Sequence, residues 1–343
     1  MTTHTYHISN KKIDCIFQAS ISQLENYAAD NTIVILTDSK IASVYHQQLS
    51  AYRVISFEAG EANKIQETVD QIILQLLEME IDKDALLVGV GGGVVTDITG
   101  FVASIYKRGL RFGFVPTTIL AMVDAAIGGK NGVNVGPYKN MIGTILQPWF
   151  ILYDYSFLQS LPHEEWVNGF AEIIKHACIK DPVLFASIQQ HQLSDYMQDT
   201  ELLSDLIQKN VALKFEIVAL DEMEKNERLH LNFGHTIGHA IENTYQIKHG
   251  AAVAIGMVIA CHLSESLSSF DLSQTVQIVQ LIKQYQLPTG IEMDVDRIIK
   301  LVLADKKRAG KDIRFVLLNS IGEAAIQLIP IETIRTHLIE YTS

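Results

Sequence analysis

His235 and His239 stand four residues apart in LNFGHTIGHAIE, a spacing that puts both imidazoles on one face of a helix. His249 opens the next segment, immediately before Gly250. Earlier in the chain, Glu172 and Lys175 of GFAEIIKH are three apart and share a helical face in the same way. One carboxylate and two imidazoles form a reasonable ligand set for Zn²⁺ or a similar divalent ion, with a position left for substrate oxygens. Histidine pairs at this spacing also pack against each other with no metal. An apolar helix carrying both Glu172 and Lys175 nevertheless needs partners for them if it buries them. The wording is not H-E-x-x-H, which disfavours a zincin protease.

A second chemical signal is the glycine run Gly89, Gly91, Gly92, Gly93, set between the apolar stretch ALLVGV and a helix-like TDITGFVASIY. Missing Cβ atoms let a backbone approach a pyrophosphate, and the N-terminus of the following helix favours negative charge. This is not the G-x-G-x-x-G fingerprint after a first strand, and tight strand-to-helix packing is the lesser alternative for the glycines. Donors for a phosphate are scattered among otherwise uncharged stretches: Lys130, Lys139 and Asn140, then Lys214, Arg228, Asn232, Lys306 and Lys307. The Lys306–Lys307 pair, with Arg308 and Lys311 beside it, reads equally as a solvated turn. Asp97 and Asp124 suit nicotinamide-side contacts or substrate hydroxyls, and each suits a helix cap.

The elements that must carry these residues follow from the hydrophobic pattern. Strands are expected at 32–37 and 52–57 and through ALLVGV, with a helix over 64–80, where Ile65, Val69, Ile72, Ile73, Leu76 and Leu77 recur on one face. Strand, helix, strand, helix, strand within the first hundred residues indicates an α/β layer with parallel strands. The glycines clustered over 127–143 read as a loop-rich segment. Beyond Pro148, helical patterns dominate at 164–179, 200–221, 235–245, 251–267 and 272–285, with a small hairpin between 310 and 325. The expected division is an α/β nucleotide-binding domain over 1–150 and a mainly α-helical domain over 151–343.

Composition narrows the class. The 343 residues carry 27 basic and 39 acidic side chains, a formal charge of −12, with no basic block, which argues against nucleic acid or a polybasic membrane anchor as partner. Cys15, Cys178 and Cys261 show no Cys-x-x-Cys spacing, against both a disulfide scaffold and a thiolate zinc site. The start MTTHTYHISNKKID lacks an apolar signal segment and no run of 18 apolar residues follows, so the cytoplasm is the expected address.

Taken in order, GGGVVTDITGFVASIYKRG, VPTTILAMVDAAIGGKNGVN, YKNMIG, GFAEIIKH, LNFGHTIGHAIE and HGAAVAIGM resemble the 3-dehydroquinate synthase family of sugar phosphate cyclases. The resemblance runs from AGEANK at Ala59 to DKKRAGKDIRFVLL. It implies a dehydroquinate synthase-like fold and a carbon–oxygen lyase of the shikimate pathway. Such an enzyme turns 3-deoxy-D-arabino-heptulosonate 7-phosphate into 3-dehydroquinate and phosphate by transient NAD-dependent oxidation, phosphate elimination, reduction and aldol closure.

By the same resemblance, Glu172, His235 and His249 hold Zn²⁺ or Co²⁺. NAD falls to Glu61, Lys64, Gly91, Gly92, Gly93, Val94, Asp97, Thr117, Thr118, Lys130 and Lys139. Substrate falls to Asp124, Lys130, Lys139, Asn140, Lys306 and Lys307, with Lys175, Lys214, Arg228, Asn232 and His239 at the reacting centre. Arg108 matches an arginine that serves the partner subunit's phosphate site, which implies a homodimer. The chain departs from the familiar wording at Ala125 and Ala126 (two serines), Gly132 (alanine), Tyr138 and Asn226 (both glycine), and in the short gap between His239 and His249.

Overall fold

The structure is a computed structural model describing residues 1–28, 31–136, 138–304, 308–309 and 312–342. Lys306 and Lys307, expected to meet phosphate, lie outside the described residues. Two compact units are present: residues 1–162 with 214–222, and residues 163–213 with 223–343.

The first unit is built on a seven-stranded sheet. Its strands are β1 (Thr2–Ile8), β2 (Lys11–Phe17), β3 (Ile33–Asp38), β4 (Arg53–Phe57), β5 (Leu86–Gly91), β6 (Arg111–Pro116) and β9 (Phe150–Tyr153), in the order β1-β2-β9-β6-β5-β3-β4. β1 and β2 pair antiparallel and the remaining pairs are parallel. β5 is buried along its whole length, as expected of an interior parallel strand read as a continuous apolar run. The register Leu86↔Arg111 through Gly91↔Pro116 brings the C-terminal ends of β5 and β6 side by side. The ends of parallel strands are where open α/β sheets present a ligand crevice.

The glycines of this region are explained mostly by close approach. A Cβ on Gly89 would lie 2.6 Å from Thr99 Oγ1, and one on Gly91 would lie 2.4 Å from a Val95 methyl. These two therefore seat the helix Gly93–Ile105 against its own strand.

The expected loop over 127–143 is instead a hairpin, β7 (Lys130–Val135) paired antiparallel with β8 (Tyr138–Ile145). Gly132 and Gly143 face each other across it, and a Cβ on Gly132 would lie 2.4 Å from the Ile142 carbonyl oxygen. Gly132 and Gly143 mark strand-to-strand proximity, whereas Gly128, Gly129 and Gly136, with φ of +100°, +70° and +54°, serve the turns beside the strands.

The units divide at Pro162 rather than near 150, because β9 still belongs to the sheet and a short helical turn (Tyr155–Ser160) follows it. Residues 214–222 of the second half also group with the first unit. Phe215 stacks on Tyr6 at 4.1 Å, and Glu222 accepts hydrogen bonds from Ser9 and Gln147 at 2.6 and 2.9 Å.

The second unit is mainly helical: His163–Lys180, His235–Tyr245, His249–Leu267, Leu272–Gln284, Val295–Ala304 and Ile331–Thr342 are its longer helices, joined by most of Thr200–Leu220. A small antiparallel sheet joins β10 (Arg308–Ala309), β11 (Asp312–Ser320) and β12 (Glu323–Pro330). The helix His249–Leu267 is long and apolar enough to cross a membrane, but 72% of its apolar window is buried in the protein. It packs against the 163–180, 235–245 and 272–284 helices as the centre of this unit.

Two glycine contacts set the crossing of the 235–245 and 249–267 helices. A Cβ on Gly256 would fall 1.9 Å from the Gly234 carbonyl oxygen, and one on Gly238 would sit 3.0 Å from that of Ala252. Gly234 itself has φ +77°, the left-handed conformation glycine adopts without strain, and starts the helix that carries His235.

Candidate functional sites within each unit

In the helical unit, three expected ligands converge. Glu172 is fully buried on the 163–180 helix, and its Oε1 lies 3.4 Å from His235 Nε2 and 3.1 Å from His249 Nε2. One ligand atom from each residue fits within a mutual separation of 4.8 Å. The far ring nitrogens are also engaged: His235 Nδ1 is 3.1 Å from the Phe233 carbonyl oxygen, and His249 Nδ1 is 3.2 Å from Glu242 Oε2. Such contacts fix ring orientation and leave Nε2 for an ion, the usual outer arrangement of metal-binding histidines. A carboxylate with two oriented imidazoles fits a divalent cation of the Zn²⁺ or Co²⁺ kind.

The charges of this cluster offset one another. Burial acts to raise the Glu172 carboxyl pKa, but the Lys175 ammonium paired with it and the two histidines outweigh burial and hold it well below the ordinary carboxylate range. Burial lowers the pKa of His235. Burial acts the same way on His249, but its contacts with Glu172 and Glu242 prevail and lift it to about 10. Lys175, as expected, shares the helical face of Glu172 and is itself buried.

His239 stands next to this group, its ring 5.1 Å from that of His235 and 6.0 Å from that of His249. Arg228 is buried in the turn Glu227–Asn232, and Asn232 at the end of that turn donates to Glu224 at 3.1 Å.

Asn168 carries no chemical motif and is not among the expected residues. It lies one turn before Glu172 and accepts the Gly250 N–H through Oδ1 at 2.6 Å. A Cβ on Gly250 would lie 2.2 Å from the Asn168 carbonyl oxygen. This bond and the close backbone contact seat the start of the 249–267 helix beside Glu172.

In the α/β unit, the expected nucleotide residues gather at the ends of β5 and β6. The Gly93–Ile105 helix begins at Gly92 with no side-chain cap, and the Thr117 N–H donates to the Gly91 carbonyl at 3.0 Å. A Cβ on Gly92 would lie 3.3 Å from the Thr118 methyl, so Thr118 stands directly against this turn. Val94 is half-buried in the helix's first turn.

Lys64, buried, pairs with Asp97 and donates to Asn140 Oδ1 at 2.6 Å. Burial pushes the Asp97 carboxyl pKa up against the opposing pull of Lys64. Glu61 accepts from Asn134 at 2.8 Å. An uncapped helix start beside a lysine–carboxylate pair suits a nucleotide's phosphate and hydroxyl groups.

Asp124 sits in a short π-helical segment, Ala121–Ala125, and Lys214 donates to its Oδ1 at 2.7 Å and also to its backbone carbonyl. Lys130 is exposed at the start of β7, and Lys139 precedes Asn140 on β8. Arg108 is exposed in the turn Tyr106–Arg108, at φ +64°, and makes no hydrogen bond or ion pair among the described residues.

Comparison with known proteins agrees with both halves of this description. The 3-dehydroquinate synthase N-terminal family matches residues 54–168 and the 3-dehydroquinate synthase C-terminal family matches residues 169–308. A 3-dehydroquinate synthase of Leptospira interrogans serovar copenhageni is 39% identical over 300 residues, covering 85% of this chain and 83% of that protein. Among solved structures, a 2-epi-5-epi-valiolone synthase from Streptomyces hygroscopicus with NAD⁺ and Zn²⁺ bound has a TM-score of 0.88 at 27% identity, covering 98% of each chain. A 2-deoxy-scyllo-inosose synthase complexed with carbaglucose-6-phosphate, NAD⁺ and Co²⁺ has a TM-score of 0.87 at 23% identity, covering 98% of this chain and all of that one.

The fold is therefore that of the sugar phosphate cyclases. Within that class, the chain belongs to the 3-dehydroquinate synthase family.

Proposed function

We propose that this chain is a 3-dehydroquinate synthase, converting 3-deoxy-D-arabino-heptulosonate 7-phosphate to 3-dehydroquinate and phosphate with no net oxidation. The observation that carries the reading is the convergence of Glu172, His235 and His249, with Lys175 paired to the same carboxylate, in a chain that also has an uncapped strand–glycine–helix turn beside Lys64 and Asp97. When bound, NAD supplies reversible hydride acceptance and a Zn²⁺ or Co²⁺ ion supplies Lewis-acid polarisation of substrate oxygens.

The chain's own residues do the holding and the proton handling. Glu172, His235 and His249 hold the ion, and Lys175 keeps the Glu172 carboxylate ionised while buried. Glu61, Lys64, Asp97, Thr117, Thr118 and the turn Gly91–Val94 hold NAD, with Lys130 and Lys139 at its edge. Lys130, Lys139 and Asn140 bind the substrate phosphate through charge-assisted and neutral hydrogen bonds, together with Arg228 and the Lys306–Lys307 segment. Asp124, kept in place by Lys214, orients substrate hydroxyls, and Asn232 and His239 orient or relay protons at the reacting carbons. No protein base is needed for the elimination step if the departing phosphate takes the proton itself.

The reading extends to a cytoplasmic homodimer in which Arg108 serves the phosphate bound by the neighbouring subunit. Its exposure and lack of hydrogen-bonding partners among the described residues support that use. The test is product analysis: the metal-loaded enzyme with NAD and the heptulosonate phosphate should yield one phosphate per carbocycle.

A further inference from the structure

Asn134, on β7, is buried and spends its polar groups on three other site residues. Its Nδ2 donates to Glu61 Oε1 at 2.8 Å, its Oδ1 accepts the Asn140 N–H at 2.8 Å, and its own N–H donates to the Lys64 carbonyl at 2.8 Å. Lys64 closes the ring by donating through Nζ to Asn140 Oδ1 at 2.6 Å. Asn140 itself has φ +54°, a conformation uncommon outside glycine, and its N–H bond to Asn134 helps to hold it there. None of the chemistry above uses Asn134. It nevertheless joins the segment assigned to the nucleotide, 61–64, to the hairpin assigned to the substrate phosphate.

We infer that Asn134 is a positioning residue that couples the two ligands, so that NAD and a phosphate group each bind more tightly when the other is present. The inference rests on the function proposed above. A nucleotide that fixes Glu61 and Lys64 also fixes the Asn134 side-chain amide, through Glu61, and its main-chain N–H, through the Lys64 carbonyl, and so the Oδ1 that accepts from Asn140. The ordering of this ring is then shared, and the second ligand meets a hairpin already set. Linkage requires the effect to be reciprocal.

The experiment uses the full-length, metal-loaded protein and titrates NAD calorimetrically with and without saturating inorganic phosphate. Wild type should show NAD affinity rising about tenfold with phosphate. In Asn134→Ala, NAD and phosphate should each still bind while the coupling factor falls toward one. Asn134→Asp should lose coupling too, because it faces Glu61 with like charge. Combining Asn134→Asp with Glu61→Gln, which exchanges donor and acceptor, should restore the coupling factor, a ratio taken within the variant, so that NAD affinity lost at Glu61 divides out. A purely structural role would lower the melting temperature without changing the coupling factor of the folded protein.

Wild-type coupling in a folded Asn134→Ala protein would overturn the inference alone. So would failure of the double variant, Asn134→Asp with Glu61→Gln, to restore coupling, a comparison that still decides the matter if the alanine variant does not fold. Absence of NAD binding to wild type would overturn the functional reading and this inference with it.

Discussion

Asn168 accepts the backbone N–H of Gly250 at 2.6 Å, across 82 residues of sequence and out of contact with solvent. The bond brings the start of one helix onto the side of another, and His249 and Glu172 meet as a result. Asn168→Ala would leave a buried N–H without a partner, costing about 1–3 kcal/mol of stability. The same variant should bind Zn²⁺ more weakly than wild type in competition with a chromophoric chelator. Equal zinc affinity would mean that packing alone places His249.

Metal removal should destabilise the whole protein, because the three proposed ligands, Glu172, His235 and His249, lie on three different helices. An ion present at about a thousandfold excess over its dissociation constant adds about 4 kcal/mol. Differential scanning calorimetry of the stripped protein before and after one equivalent of Zn²⁺ should show a rise in melting temperature for wild type. His249→Ala should show little rise, and metal analysis should find its occupancy greatly reduced. A full zinc-dependent rise in the variant would remove His249 from the ligand set.

Arg108 should separate activity from stability. Because it is exposed and has no hydrogen-bonding partners among the described residues, its replacement by alanine should change unfolding free energy by no more than about 0.5 kcal/mol. Activity should fall strongly, and mixing Arg108→Ala subunits with inactive Lys175→Ala subunits should recover part of it. Demonstrated heterodimers with no recovered activity would exclude service across subunits.

Asp97 should leave a signature in the pH dependence of stability. Its carboxyl pKa is raised in the folded chain, chiefly by burial, so the folded state holds this proton to higher pH than the unfolded state. Stability from this group is therefore greatest below the ordinary aspartate range and is lost as pH rises from there to the raised value. Denaturant unfolding across that window should show Asp97→Asn gaining on wild type as pH increases. An unchanged difference between the two would mean that Lys64 cancels the effect of burial.

Much of this arrangement is legible in the sequence, because it is written in short-range spacing. The i, i+3 relation of Glu172 and Lys175 and the helical run from His235 onward follow from periodicity, as do β3, β5 and the 66–78 helix. The resemblance adds the ligand role of His249, whose approach to Glu172 spans 77 residues.

The hairpin β7–β8 is hidden in the sequence because Gly132 and Gly143 meet backbone to backbone and have no side chains to show a strand's alternation. β1 is hidden for a related reason: it is a largely exposed edge strand whose residues carry no apolar alternation. Asn134 and Asn168 act through side-chain hydrogen bonds to Glu61 and Gly250, groups distant in sequence, and a lone asparagine gives no sign of its partner. The return of residues 214–222 to the first unit depends on Phe215 meeting Tyr6 and Glu222 meeting Ser9, contacts that local pattern does not encode.

Recycling of NAD while phosphate leaves is what separates a cyclase from a dehydrogenase. It is tested by supplying metal-loaded enzyme with the heptulosonate phosphate and NAD far below substrate concentration, then following phosphate, carbocyclic product and NADH absorbance to completion. The expected result is many turnovers per NAD, one phosphate per 3-dehydroquinate and no accumulated NADH. A rise of free NADH in proportion to product, or phosphate release by verified NAD-free protein, would contradict it.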